Sequence, residues 1–110
     1  MSFLKEIIEE REEEIELNNI EKELIEAEEF LLSIKRQLDE AVMDFGDMEE
    51  GKIFDEAQRR LAAAKNAFGI VNRLRNPEER KTHRSRLAGY MNRLRALLGR
   101  LVQKFTKEET

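Results

Sequence analysis

An all-α fold, an antiparallel three-helix bundle, is what this sequence predicts, on three observations. Apolar residues recur in alternating steps of three and four over long stretches, the seam of helices packed lengthwise. Charged and apolar residues each make up 40% of the chain, a mixture suited to helices with one dry and one wet side. Punctuation is sparse: one Pro, five Gly, one Tyr and no Trp in 110 residues match long helices far better than a sandwich or an α/β sheet. A chain of that length is enough for one small domain with one core.

Residues 1–16 read as an acidic helical arm. Phe3, Leu4, Ile7, Ile8 and Ile15 make a narrow apolar edge, and Glu fills most of the other positions. These five are the candidate contacts for self-association, because a chain whose other helices are shorter leaves that edge bare. The edge is out of phase with the long seam that begins at Leu17: stepping back from Leu17 lands on Glu13 and Glu10 rather than on Ile15 and Ile8. Asn18 with Glu21 has the capping-box pattern, so Asn18 and Asn19 either divide a short first helix from a long one or mark a stutter in one continuous helix.

The long seam runs Leu17, Ile20, Leu24, Ala27, Leu31, Ile34, Leu38, Ala41 and Phe45 without a miss, predicting a helix over about 17–45 that is roughly 43 Å long. Gly46 is placed for the left-handed position after its end, and Asp47 with Glu50 for the cap of the next helix. A second helix over about 48–75 carries Phe54, Ala57, Leu61, Ala64, Phe68 and Val71 on its seam. Its small residues Ala62, Ala63, Ala64 and Ala67 give it a slim side for a close neighbour, and the short connection folds it back antiparallel on the first. Asn76-Pro77-Glu78-Glu79 is the sharpest stop in the chain: an N-cap residue, Pro at the first helical position and acids in the first turn. It opens a third helix over about 77–105 with a broad stripe of Leu87, Tyr90, Met91, Leu94, Leu97, Leu98, Leu101, Val102 and Phe105. The junction before it is either a tight reversal or a sharp bend. Residues 17–110 thus form the bundle domain, and the last few residues fray.

Charge divides the chain. Residues 1–50 hold 18 acidic against 5 basic residues, and residues 51–110 hold 6 against 15, within a net charge of −4. Either the acidic helix lies against the basic ones, within one bundle or across a dimer, or the two faces serve different partners. Arg73, Arg75, Arg80, Arg84, Arg86, Arg93, Arg95 and Arg100 are the candidate residues for binding a partner or phosphate, since Arg favours bidentate contact with carboxylate or phosphate. Arg86, Arg93 and Arg100, seven residues apart, form one stripe. Segments 69–75 and 89–95 share Gly, Asn, Arg, Leu and Arg in register. Two such copies are either chance similarity of helix surfaces or a pair of equivalent Arg-Asn patches for a repeating partner such as a phosphate backbone.

Catalytic chemistry finds no foothold. One His, His83, and no Cys leave no His pair, triad, thiolate zinc site or cysteine nucleophile within one chain. Glu79 and His83 stand four apart, but no HExxH is present and the paired Glu-x-x-His of di-iron bundles would need a second His, so no metal and no cofactor is expected. Phosphate-loop and nucleophile-elbow motifs are missing. Acids come too early at the N-terminus for the apolar core of a secretory signal, so none is expected, and no run is apolar enough for a membrane span. An anionic lipid surface would repel the acidic arm. The expectation is an intracellular, non-enzymatic helical protein-protein interaction module, such as an adaptor, scaffold or assembly factor, that self-associates, a dimer being favoured. The alternative is a nucleic-acid-binding accessory or packaging protein using the Arg-rich third helix. Bases would find few exposed aromatics to stack on, so that alternative rests on backbone contact.

Overall fold

A computed structural model describes residues 2–40 and 49–106. These residues form three helices and no strand: α1 (Ser2–Glu40), α2 (Glu49–Arg73) and α3 (Pro77–Thr106). Leu74, Arg75 and Asn76 alone among the described residues fall outside helix. The expected seam positions Ala41 and Phe45, the Gly46 stop, the Asp47 cap and the fraying tail lie outside the described residues.

α1 runs without a break through Asn18 and Asn19, so there is no short first helix. Two Asn on a wet face cost at most ~0.7 kcal/mol each against Ala. Leu17 and Ile20 on either side of them are both 8% exposed, and burying such side chains contributes about 1.5–3 kcal/mol each, so packing holds that turn helical. At roughly 1.5 Å per residue, the 39 residues of α1 span about 58 Å, close to the 62 Å longest dimension of the molecule.

The helices run up, down and up. α1 meets α2 antiparallel, with Lys65 pairing Glu28, and meets α3 parallel, with Glu13, Glu16 and Glu23 facing Arg80, Arg84 and Arg95 in the same order. α2 and α3 lie closest together, α1 rests on α2, and the backbones of α1 and α3 stay farther apart. Ala64 and Ala67 of α2 are buried, which is what permits the close approach. The core takes the predicted seam from Leu17 to Ile34, then Phe54, Ala57, Leu61, Ala64 and Val71, and Leu87, Met91, Leu94, Leu97 and Leu101. Ile53, beside the predicted seam, is buried as well. Val102 is a correction: it is 42% exposed. It falls seven residues after Arg95, on the flank of α3 where α1 stands off, so nothing from α1 covers it fully.

Asn76-Pro77 is a reversal. Asn76 Oδ1 accepts from the backbone N–H groups of Glu78 (2.9 Å) and Glu79 (3.2 Å), capping α3. No described residue has a positive φ, so α2 ends without the usual left-handed cap, and arginines take its last carbonyls. Arg73 Nε donates to the Gly69 carbonyl (3.2 Å), and Arg80 Nη1 donates to those of Val71 (3.0 Å) and Leu74 (2.7 Å). Cations there also oppose the negative end of the helix dipole. Asn76→Ala is expected to lower stability by about 1 kcal/mol, read by urea unfolding; no measurable change would mean the cap is idle.

Candidate interaction surfaces

The reversal sets the register of everything around it. Arg80, in the first turn of α3, caps α2 and at the same time reaches α1, donating from Nε (2.8 Å) and Nη2 to Glu13 Oε1. One side chain therefore ties the three helices together at this end. Arg84 continues the line with Glu16 and, at 3.7 Å, Glu13. Arg95 donates to both oxygens of Glu23, at 2.5 and 3.0 Å, and to Asn92 Oδ1 at 3.1 Å. The hydrogen bond that Arg95 donates to Glu23, outweighing partial burial, raises the Arg95 pKa above its already high ordinary value, and the Glu23 charge adds to it. At the far end Arg100 and Lys104 reach Glu49, and Lys104 also Glu50, at 3.5–3.7 Å.

Arg80, Arg84, Arg95 and Arg100, half of the eight candidate arginines, thus hold acids of their own chain. Arg73 is turned onto its own helix end. Among the described residues Arg75, Arg86 and Arg93 have no ion-pair partner, and all three are exposed. The stripe of Arg86, Arg93 and Arg100 is accordingly uneven. Nor are the two repeated segments equivalent: Arg73 caps α2 whereas its counterpart Arg93 is unpaired, and Leu74 is half-buried at a turn whereas Leu94 is buried in mid-helix.

The second surface is apolar. Because Glu13 lies beside the first turn of α3, roughly the first eight residues of α1 project past the α2–α3 reversal, a distance of about 12 Å. Phe3 (69% exposed), Leu4 (68%) and Ile8 (55%) face solvent there, Ile7 is half-buried, and Ile15 (60%) is exposed farther along, level with α3. The structure adds two residues that the core periodicity does not mark, Ile25 and Leu32, each 51% exposed on the outer side of α1. A signal for them existed: Ile8 and Ile15 are seven apart, as are Ile25 and Leu32, the spacing of one helical stripe.

Two clefts flank α1. One of about 410 Å³ lies between α1 and α3, with Ile20 and Met91 at its base and Glu12, Ile15, Glu16, Glu23, Ala88 and Arg95 around its edge. The other, about 990 Å³, separates the projecting end of α1 from the reversal, with Glu6, Glu9, Glu10 and Glu14 opposite Arg75 and Pro77. Among the described residues no three His, Cys, Asp or Glu side chains are grouped to hold a metal, and no described helix is long and apolar enough to cross a membrane. Compared with protein-family models, curated proteins and solved structures, the chain shows no match.

Proposed function

We propose that this chain is a non-enzymatic helical interaction module of the cell interior, an adaptor, scaffold or assembly factor whose working surface is the outer face of α1. One observation carries the reading: α1 is apolar on two sides. Its inner side builds the core with α2 and α3, while Phe3, Leu4, Ile8 and Ile15 on the other side stay more than half exposed. A closed core gains nothing from those side chains, and an apolar edge of this kind is what helix-to-helix recognition uses. Arg80 supports the same reading, since by anchoring α1 to the ends of both other helices it presents the edge on a rigid rod.

The test is stoichiometric recovery of a protein from the source cells with the tagged chain. Leu4→Glu/Ile8→Glu, which changes only exposed positions, is expected to abolish recovery at unchanged helicity. Unchanged recovery would remove α1 as the contact surface.

Nucleic-acid binding is the second reading, favoured by exposed Arg75, Arg86 and Arg93 that no acid among the described residues engages. The internal pairing of four other arginines weakens it, because those guanidinium groups would have to leave carboxylates to meet phosphates. Binding to mixed-sequence DNA or RNA is expected to be absent at low salt. Salt-sensitive binding lost in Arg86→Glu/Arg93→Glu would reverse the order of the two readings.

A further inference from the structure

Resting on the reading of α1 as the contact helix, we infer that its outer face pairs with α1 of a second copy of this chain, antiparallel, with Ile15 of each copy opposite Ile25 of the other. Since α1 is continuous, the apolar residues that were out of phase with the core belong to a second seam, in steps of three and four, on the solvent side. Ile8, Ile15, Ile25 and Leu32 are its dry positions, each more than half exposed. Arg11, Asn18, Lys22 and Glu29 fill the places between them. The stretch from Ile8 to Leu32 is about 36 Å long.

This seam is complementary to itself in one register. With Ile15 facing Ile25, Ile8 faces Leu32, Arg11 faces Glu29 and Asn18 faces Lys22, so apolar meets apolar, charge meets opposite charge and polar meets polar. Sliding one heptad one way sets Arg11 against Lys22 and Ile15 against Asn18. Sliding the other way sets Lys22 against Ile25 and Arg11 against Arg36. A parallel pair in register would put Arg11, Lys22 and Glu29 each against its own copy, which like charges oppose. Arg11, Lys22 and Glu29 are exposed and, among the described residues, unpaired within the chain, so each is available to the second copy.

The seam's flanks carry the cost. In this register Glu12 faces Glu26, Glu14 faces Glu28 and Glu21 faces itself, and of these only Glu28 already has a cation among the described residues, Lys65. Pairing therefore works against repulsion between acids, and salt that screens the rim strengthens the dimer. That sign is opposite to phosphate binding, and opposite to capture of a basic helix from another protein.

Sedimentation of the full chain at about 0.05 M and about 0.5 M salt reads the sign. The expected result is a monomer-dimer equilibrium whose dissociation constant falls several-fold at the higher salt. Ile15→Glu is expected to raise that constant at least ~10-fold with helicity unchanged. The chain has no Cys, so cysteines can be placed at will: Ile15→Cys chains mixed with Ile25→Cys chains and oxidised are expected to give the mixed disulfide, and neither variant alone to link to itself. A chain monomeric at ~1 mM in high salt, a dimer that salt weakens, a dimer indifferent to Ile15→Glu, or disulfides from either single variant would each overturn the pairing. A monomer that still recovers another protein through Leu4 and Ile8 refutes self-pairing alone. A monomer whose recovery ignores Leu4→Glu/Ile8→Glu defeats the proposed function with it.

Discussion

Leu94→Ala is expected to lower the unfolding free energy by about 2–5 kcal/mol, the range for emptying a buried Leu site. Leu94 is fully buried in the middle of α3, among Met91, Leu87 and Leu101, which are at most 1% exposed. It lies on the side of α3 turned to α2, the closest helix pair in the molecule, where the register from the reversal to the Glu49–Arg100 pair puts it level with the small, buried Ala57. A domain of this size has on the order of 5–15 kcal/mol to lose, so the variant stands near the edge of folding. Urea unfolding followed by circular dichroism measures it. A loss under ~1 kcal/mol would show that the α2–α3 seam is looser than the burial of these residues says.

Arg80→Met is expected to cost about 1.5–3 kcal/mol, more than any other single charge removal. The reason is what it leaves behind. The Leu74 carbonyl loses its side-chain donor at a helix end that has no left-handed cap, the Val71 carbonyl keeps only the longer bond from the Leu74 N–H (3.3 Å), and Glu13 loses the guanidinium that binds it through two nitrogens. Met keeps much of the stem's packing, so the loss reports the head group. Arg80→Lys is expected to recover less than half, because one ammonium cannot serve two carbonyls and a carboxylate on different helices. Arg95→Met is the comparison: its side chain is 50% exposed, and exposed pairs contribute roughly 0.2–1 kcal/mol. Equal losses in Arg80→Met and Arg95→Met would refute the special place given to the reversal.

Fold class and core were open to reading because both depend on spacing along one dimension. A residue three or four places from its neighbour shares a helix face whatever the rest of the chain does, so the seam from Leu17 to Ile34 and the stripe around Leu94 are legible in one dimension. So is the start of α3, since Asn76, Pro77 and the acids after it act within one turn. The division at Asn18 and Asn19 was different. Capping preferences there amount to about 1 kcal/mol, and the burial of Leu17 and Ile20 outweighs them, but that burial exists only once α2 and α3 are in place. Val102 failed for a related reason: its position on the stripe is local, whereas the standing-off of α1 is not.

The candidate surfaces divide along the same line. Periodicity alone established that this chain is a set of rods with greasy inner edges, acidic at one end of the sequence and basic at the other, and that Ile8 and Ile15 lie off the core seam. Which arginines meet carboxylates, and which stand clear, depended on the register of α3 against α1, set through Arg80 by the reversal between α2 and α3. Ion pairs across tens of residues, such as Arg95 with Glu23, leave no mark in local sequence, because their energy is felt only where packing has already brought two helices side by side. For the same reason the seven-residue spacing of Ile25 and Leu32 was present in the sequence, but that they lie on an outer edge was not: a helix face becomes an outside once the other helices have taken the inside.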